Sequence, residues 1–366
     1  MELKHLFSPY RIGNVLIRNR IVRSATAENM AEGGHPSDQL IELYTKLAEG
    51  GVGLIITGGI AVDPSSTFTR KGTSLSDDSF ISSHKKLVES VHDSESKIAA
   101  QIGHTGRQSS NKRYEAVAPS AILYPQTGRV PRALSTEEIQ KNITKMFIES
   151  GRRAYESGYD MVQLHAAHGY LLGSFLTPYT NKRTDKYGGS IYNRTRILID
   201  IYNGLRDEVG KDFPIIVKLQ TQDGDLPGGL IFKEGLEITK VIYETGFDAI
   251  EPSGGGGDLI GTEWLLPSVE MKSPEEENYF LSSVKEIRSL SGNCPLLLMG
   301  GIRNPVSAEQ FIQEGIADFI SMSRPLICEP DLPARWKSGD HSPALCESCN
   351  SCYMSIINGP LECILN

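Results

Sequence analysis

His165, His168 and Tyr170 are the side chains in this sequence whose types and spacing are best suited to chemistry. They lie in the stretch MVQLHAAHGYLL at residues 161–172, toward the end of an apolar run. Imidazole and phenol groups can bind a metal ion, transfer protons, hold a substrate oxygen or fill a core. A metal site would need further ligands, for which His104 offers a nitrogen, and core packing would need many buried partners. We therefore rank substrate binding above a metal site, and a metal site above core packing.

Short apolar runs that alternate with helix-like segments must position these side chains. Each run is typical of a strand that is buried on both faces. Eight such runs lie at residues 19–27, 52–60, 97–107, 159–169, 213–220, 247–257, 294–302 and 317–325.

The joints between helices and strands repeat one pattern. Residues 155–162, 243–250 and 312–320 each place Glu, then Gly, then Asp before the apolar run, and residues 47–55 form a variant without the Asp. Glycine at such a joint predicts a left-handed cap that ends the helix and turns the chain into the next strand.

Strand–helix units joined in this way predict an α/β fold, a parallel (β/α)8 TIM barrel. An open doubly wound sheet is the alternative, but no glycine-rich dinucleotide fingerprint follows the first strand. We expect a single barrel domain over residues 1–338, and a C-terminal Cys-rich tail over residues 339–366. A capping loop inserted after strand 3 would cover residues 103–135, and Ser135 and Glu138 form a capping box at the start of the helix that follows.

The composition excludes several classes of function. A formal charge of −8 argues against nucleic-acid binding, which needs a basic surface. No apolar stretch is long enough to span a bilayer, and the first residues lack the apolar core of a secretory signal. Six cysteines in 366 residues do not indicate a secreted disulfide scaffold. We therefore expect a cytoplasmic protein without a membrane or nucleic-acid partner.

The ends of the last two predicted strands favour a phosphorylated cofactor. Barrels often bind phosphate in the loops after strands 7 and 8. Gly300 and Gly301 follow the seventh run and allow a close backbone approach, while Ser323 and Arg324 follow the eighth and add a hydroxyl and a guanidinium. Carboxylates are few at the strand ends, which favours a flat polar heterocycle over a divalent metal.

Three motifs occur in an order that resembles the old yellow enzyme family of FMN-dependent oxidoreductases, particularly its ene-reductase and 2,4-dienoyl-CoA-reductase-like branches. The resemblance covers residues 6–333, nearly the whole chain. Its most specific stretches are QIGHTGR at 101–107, HAAHGYLLGSFLTPYTNKRTDKYGGSIYNRTR at 165–196, and GGIRNP followed by SRP at 300–325. The resemblance implies FMN as cofactor and NAD(P)H as reductant.

Cofactor contacts are implied position by position. Gln101 would bind the flavin pyrimidine edge, Lys218 would lie near N1 and O2, and Gly59 would offer its backbone to O4. Gly301 and Arg324 would hold the phosphate. The full set of cofactor-binding residues that the resemblance implies is Ala25, Thr26, Ala27, Gly59, Gln101, Lys218, Gly255, Gly300, Gly301, Ser323 and Arg324.

Catalytic roles for the opening residues are implied in the same way. His165 and His168 would hold the electron-withdrawing oxygen of an activated alkene, on which negative charge develops as hydride arrives from the flavin. Tyr170 would donate the proton that completes the reduction of the C=C bond. The substrate would be a small molecule of the enone, enoyl or dienoyl type.

The sequence departs from the family pattern at two positions. Ala27 stands where the family often has a cysteine or threonine beside flavin O4 and N5, so a hydrogen bond to the flavin is lost. Thr26 or Glu28 could replace it only if the backbone register shifts. Lys218 stands where arginine is common, which keeps the positive charge but loses the fork of donors.

Four cysteines, Cys346, Cys349, Cys352 and Cys363, cluster near the C-terminus. Their CxxCxxC spacing is one residue shorter than the iron–sulfur motif of the dienoyl-CoA-reductase branch. Three interpretations stay open: a [4Fe–4S] cluster fed by a redox partner protein, a structural zinc site, or free thiols. The two other cysteines, Cys294 and Cys328, are predicted to be isolated and buried.

Two alternative functions remain besides the ene-reductase. The first is an FMN electron-transfer subunit of a larger complex, and the second is a metal-dependent barrel hydrolase that uses His104, His165 and His168. The family also favours assembly into a homo-oligomer through barrel helices.

Overall fold

The computed structural model describes residues 2–258 and 269–365 of the chain. Within them, eight parallel strands build a barrel, as predicted. The strands are β1 (Ile21–Arg23), β2 (Leu54–Ile56), β3 (Lys97–Gly103), β4 (Met161–Ala166), β5 (Ile215–Gln222), β6 (Ala249–Gly254), β7 (Leu297–Leu298) and β8 (Phe319–Met322). Seven of them lie inside one of the eight apolar runs of the sequence, and β5 extends two residues beyond the end of its run.

The barrel strands are hydrogen bonded in the order β6-β5-β4-β3-β2-β1-β8-β7. A parallel bridge between Ile250 and Leu296 joins the two ends of this order, so that the sheet closes. A short strand, Ile60–Ala61, adds to the far end of β3. The (β/α)8 TIM barrel predicted from the sequence is confirmed.

Helices surround the barrel. They are α1 (Asp38–Glu49), α2 (Ile81–His92), α3 (Thr144–Glu156), α4 (Ile191–Val209), α5 (Phe232–Thr245), α6 (Leu281–Arg288), α7 (Pro305–Gln313) and α8 (Leu332–Lys337). Shorter helical segments lie at Asp78–Phe80, Gly106–Gln108, Thr136–Glu138, Ile139–Ile143, Leu171–Leu176, Pro274–Glu276, Arg324–Cys328 and Ser351–Asn358. None of the helices in the described residues has the length and apolar character that crossing a bilayer requires.

The repeated Glu-Gly-Asp joints have a physical explanation in the structure. Gly158, Gly246 and Gly315 have φ angles of 86°, 103° and 69°, as a left-handed cap requires. In the variant joint Gly51 takes this conformation, with a φ of 96°, rather than Gly50.

The aspartate of each joint links two neighbouring strands. Asp160, at the start of β4, accepts a hydrogen bond from the backbone N–H of Ile98 at 2.8 Å. Asp248 and Asp318 accept equivalent bonds from the starts of β5 and β7, at 2.8 and 2.9 Å. Each carboxylate also pairs with a cation: Lys97, Arg206 or Arg288. The repeated motif therefore fixes the register of strand pairs at the end of the barrel opposite the site.

Alternating residues of the strands fill the barrel interior in layers. An apolar layer includes Ala99, Met161, Ile216, Ala249 and Phe319, and it is covered from below by a hairpin of Tyr10–Ile12 and Val15–Ile17. Two residues further along the same strands the inward side chains are polar. Ser24, Gln101, Gln163, Lys218, Glu251 and Ser321 form this layer, which we call the polar layer.

The capping segment (residues 103–135) and the C-terminal segment (residues 339–365) lie at the C-terminal end of the barrel strands, opposite the hairpin that covers the apolar layer. Val117–Ala118 pairs in parallel with Arg132–Ala133, and the predicted capping box of Ser135 and Glu138 is present. Two further strands, Ala31–Glu32 and His35–Pro36, form a small hairpin. The C-terminal segment is held against the barrel because the Leu361 N–H donates to the Glu28 carbonyl at 2.8 Å.

Candidate active site

A cavity of about 300 Å³ opens at the C-terminal ends of the barrel strands. Loops that follow most of the barrel strands contribute to it, together with the capping segment and the C-terminal segment. The sequence-predicted residues that border it are Ala25, Thr26, Ala27, Gly59, Gln101, His165, His168, Tyr170, Lys218, Gly300, Gly301, Ser323 and Arg324. The structure therefore brings together nearly all of the side chains that the sequence selected.

Gln101 and Lys218 lie at the bottom of the cavity, where they belong to the polar layer. Both are almost fully buried. The Lys218 ammonium lies 3.2 Å from a carboxylate oxygen of Glu251 and donates to the Ser24 hydroxyl at 2.9 Å. The Gln101 side-chain amide donates to Gln163 at 2.7 Å. A cation and an amide are thus fixed beneath the cavity, on two strands that are separated by β4.

His165, His168 and Tyr170 form one aromatic group in the wall of the cavity. The two imidazole centroids are 5.1 Å apart with planes at 89°, and the Tyr170 ring lies 4.9 Å from that of His165. The Ala167 N–H donates to Nδ1 of His165 at 3.4 Å, which leaves the proton on Nε2. Nε2 of His168 is hydrogen bonded to the Ser253 hydroxyl at 2.7 Å. Each ring therefore keeps one nitrogen for a ligand.

Burial keeps both imidazoles neutral at neutral pH. It lowers the pKa of His165 from 6.5 to about 3, and the positive charge of Lys218 acts in the same direction. The pKa of His168 is also lowered well below its ordinary value, first by burial and then by His165 and Lys218. Burial raises the pKa of Tyr170 to about 12, so that the phenol retains its proton. The group therefore consists of two neutral imidazoles and one neutral phenol.

His168 has a left-handed backbone conformation, with a φ of 61°. For a residue with a side chain this costs about 1–2 kcal/mol. Its N–H donates to Gln220 and its carbonyl accepts from Gln108, both at 2.6 Å. These two bonds hold the strained conformation, in which the imidazole contacts the Ser253 hydroxyl.

The loops after β7 and β8 form the other end of the cavity. Gly300 and Gly301 have φ angles of 105° and 72°, which only glycine adopts readily. The Arg324 guanidinium donates to the carbonyls of Val269 and Ser348 and to the Asn350 side chain. The backbone is therefore exposed to the cavity at the glycines, and Arg324 joins this end to the C-terminal segment.

Neither neighbour of Ala27 supplies the hydrogen bond that its methyl group lacks. The Thr26 hydroxyl is engaged by Ser323 at 2.6 Å. The Glu28 carboxylate accepts from Tyr44 at 2.6 Å and pairs with Arg23 at 2.7 Å, away from the cavity. The side-chain donor missing from position 27 is therefore not replaced from residues 26 or 28.

One predicted residue differs in placement, and several lining residues were missed. Gly255 does not border the cavity, because its carbonyl accepts a hydrogen bond from Gln220 at 3.0 Å, whereas Gly256 and Gly257 do border it. The missed aromatic residues are Phe68, Tyr124, Tyr279 and Tyr353. Phe68, Tyr124 and Tyr279 lie in loops without a motif, and Tyr353 follows the last cysteine of CxxCxxC in the short helix Ser351–Asn358. No sequence signal identified these four as cavity residues.

Phe68 contacts the catalytic candidates directly. Its ring lies 5.7 Å from that of His165 with nearly parallel planes, and 4.8 Å from that of Tyr170 in an edge-on arrangement. It also packs where the side chains of residues 59 and 103 would be, so that glycine is needed at both positions. An aromatic wall therefore adjoins the three donors.

The metal sites predicted at the cysteines and at the histidines are not supported. Cys346, Cys349, Cys352 and Cys363 all border one small cavity of about 10 Å³. Yet no group of three His, Cys, Asp or Glu side chains in the described residues is arranged to hold a metal ion. His104 turns its Nδ1 to the Gly106 N–H at 2.9 Å and does not border the main cavity.

Cys294 and Cys328 are buried, as predicted. Cys328 is not isolated, however, because its thiol is hydrogen bonded with Cys363. Burial, followed by this contact, raises the pKa of Cys328 to about 12.

Comparison with known proteins gives consistent matches. The model of the NADH:flavin oxidoreductase / NADH oxidase family matches residues 5–342. An NADH oxidase of Thermoanaerobacter brockii is 37% identical over 360 residues, which are 97% of this chain and 54% of that protein. The structure of a 2-naphthoyl-CoA reductase bound to 2-naphthoyl-CoA has a TM-score of 0.91 at 28% identity and covers 100% of this chain and 57% of its own.

An old yellow enzyme homologue from Zymomonas mobilis has a TM-score of 0.75 at 26% identity, with 94% of this chain and 95% of that one covered. The chain thus spans about half the length of the Thermoanaerobacter protein and nearly all of the Zymomonas protein.

Proposed function

Because the chain belongs to the NADH:flavin oxidoreductase / NADH oxidase family, we propose that it binds FMN in the main cavity and reduces an electron-poor C=C bond at the expense of NAD(P)H. The observation that carries the proposal is the position of His165, His168 and Tyr170, three neutral hydrogen-bonding side chains in one cavity with Gln101 and Lys218. When bound, FMN supplies the hydride that the substrate carbon accepts.

The residues of the cavity fit FMN in type and arrangement. Gln101 and Lys218 would hold the pyrimidine edge, since an amide and a cation suit its alternating donors and acceptors. The Gly300–Gly301 backbone and Ser323 would hold the phosphate, with Arg324 beside them. Gly59 and residues 25–27 would border the flavin where β1 and β2 end. Gly255 has no place in this set.

His165 and His168 would hold the substrate oxygen. Their neutral rings would donate N–H hydrogen bonds to this oxygen without placing a positive charge in the cavity before the reaction. These hydrogen bonds would strengthen as negative charge grows on the oxygen. Tyr170 would give its proton to the substrate carbon. Its hydroxyl makes no hydrogen bond with the described residues, so no competing acceptor holds the proton. Phe68 would contact the flat conjugated part of the substrate.

The substrate class follows from this donor set. Enones and unsaturated acyl thioesters both carry a carbonyl oxygen conjugated with the C=C bond, which is what the two imidazoles would bind. The similarity to a 2-naphthoyl-CoA reductase supports inclusion of the thioesters.

Neither a metal ion nor an iron–sulfur cluster is part of the proposal, because the cysteines lack a ligating arrangement in the described residues. A cytoplasmic location, assembly into a homo-oligomer and the division into residues 1–338 and 339–366 stay predictions.

An FMN electron-transfer subunit is the second candidate. It is favoured by exposed apolar side chains in the C-terminal segment, namely Leu345, Met354, Ile357, Ile364 and Leu365, which could contact a redox partner. Such a subunit would bind FMN but would reduce enones poorly without its partner.

The experiment is an anaerobic assay with the purified chain, FMN, NADH or NADPH, and 2-cyclohexenone. The proposal expects one FMN per chain and stoichiometric loss of the enone C=C bond. Bound FMN without enone reduction would favour the second candidate, and failure to bind FMN would refute both.

A further inference from the structure

Glu251 is a fully buried carboxylate that lies below the cavity and does not border it. One of its oxygens accepts hydrogen bonds from the hydroxyls of Ser24 at 2.8 Å and Ser321 at 2.7 Å. The other accepts from the Gln163 amide at 2.8 Å and lies 3.2 Å from the Lys218 ammonium. Four donors from four different strand ends thus converge on one side chain that the proposed reaction does not use directly.

Strand register explains why these side chains meet. Gln163 of β4 is the register partner of Gln101 in β3, and Glu251 of β6 is the register partner of Lys218 in β5. In a parallel barrel, register partners point to the same side of the sheet. The arrangement therefore depends on the barrel itself, not on a mobile loop.

An ionised carboxylate can only accept hydrogen bonds, and this fixes the direction of the neighbouring amides. Gln163 must turn its NH₂ group to Glu251, so its oxygen faces Gln101. Gln101 in turn donates its NH₂ group to that oxygen at 2.7 Å, and its own oxygen is left for the cavity. The charge of Glu251 therefore sets, through Gln163, the orientation of the Gln101 amide that would contact the flavin.

Glu251 also compensates the charge of Lys218. Burial alone would raise the pKa of this carboxyl group, but Lys218 and the three hydrogen-bond donors outweigh it, and the pKa is lowered. The positive charge that Lys218 places beneath the cavity is consequently partly neutralised by Glu251.

We propose that Glu251 is a positioning residue for the flavin: it fixes the acceptor oxygen of Gln101 through Gln163 and reduces the positive charge that Lys218 applies to the flavin pyrimidine. This inference rests on the proposed binding of FMN. It predicts that Glu251 lowers the midpoint potential of the bound flavin, because an uncompensated cation would favour the reduced, more negative form.

The test compares Glu251→Gln with Glu309→Gln, a matched control. Glu309 is also buried, but it binds the backbone N–H groups of His5 and Leu6 away from the cavity. Dissociation constants for FMN, midpoint potentials over a range of pH and thermal unfolding of the FMN-free protein are measured for both variants and for the wild type. These readouts do not depend on turnover.

The expected result is that Glu251→Gln binds reduced FMN more tightly relative to oxidised FMN by about tenfold, a positive shift of about 30 mV for two electrons. Glu309→Gln should leave the potential unchanged. In a Lys218→Met background the shift caused by Glu251→Gln should shrink, since it acts through the lysine.

A second variant tests the amide relay by itself. Gln163→Met leaves the ion pair intact and should weaken FMN binding about tenfold, which corresponds to the loss of about one hydrogen bond between uncharged groups. The midpoint potential should change little.

Several outcomes would overturn the inference. They are an unchanged potential in Glu251→Gln at every pH, unfolding losses without any change in FMN affinity or potential, or unchanged FMN affinity in Gln163→Met. Failure of the wild type to bind FMN would instead refute the proposed function, so the two failures are distinguishable.

Discussion

Removal of the Tyr170 hydroxyl is the substitution that separates the proposed chemistry from mere flavin binding. Tyr170→Phe retains the ring that contacts His165 at 4.9 Å and Phe68 at 4.8 Å between centroids, so the cavity wall should persist. The hydroxyl makes no hydrogen bond with the described residues, and its loss leaves no buried partner unpaired. The variant should therefore fold and bind FMN as the wild type does.

The expected loss is confined to the step that needs a proton. A positioned general acid contributes about 10²–10⁴ in rate, and efficiency is greatest when its pKa is near the working pH. The pKa of Tyr170 is raised to about 12 by burial. We therefore expect the lower end of the range, about a hundredfold, which is about 2.7 kcal/mol of barrier.

Stopped-flow absorbance separates the two half-reactions. Reduction of the flavin by NAD(P)H should be unchanged in Tyr170→Phe, whereas reoxidation by 2-cyclohexenone should slow about a hundredfold. Tyr192→Phe serves as the control, because Tyr192 is exposed on α4 and packs on Arg196. If Tyr170→Phe reoxidised with the enone at the wild-type rate, the proton would come from another group and the assigned role would be wrong.

Three further predictions follow from the same geometry. Gly301→Ala should weaken FMN binding at least tenfold, or about 1.4 kcal/mol, in a fluorescence titration, since its φ is 72° and the new Cβ would clash with the Met271 sulfur. Ala27→Cys should raise the flavin potential by about 20 mV, as one added hydrogen bond of about 1 kcal/mol would, and an unchanged potential would place residue 27 away from the flavin. Burial lowers the pKa values of His84 and His165 to about 3, so the folded state binds fewer protons than the unfolded state below pH 6.5. The free energy of unfolding should consequently fall as pH falls from about 6.5, by about 1.4 kcal/mol per pH unit for each imidazole, and urea titrations with a flat profile from pH 7 to 5 would contradict this.

The barrel was predictable because strands that are buried on both faces leave continuous apolar runs, and all eight were found. Their polar ends also identified His165, His168, Gln101 and Lys218, since the C-terminal ends of barrel strands meet at one face. Glu251 was not singled out as a site residue. It lies inside an apolar run, and its contacts with Gln163 and Lys218 depend on the register between strands.

Loop residues were the least predictable part of the site. Phe68 and Tyr124 approach the cavity from segments without periodicity or motif, so their positions depend on tertiary packing alone. Gly255 was misplaced by one residue because a run of four glycines does not indicate which peptide turns inward. The cysteine spacing suggested a metal site, but the backbone brings the four thiols to one small cavity without a ligating arrangement in the described residues.

The most direct measurement for the central claim is the visible absorption spectrum of the protein purified without oxygen, before and after NADH is added and then 2-cyclohexenone. We expect a two-band flavin spectrum that NADH bleaches and the enone restores, with FMN released on heating. A colourless protein that also fails to bind added FMN would contradict it.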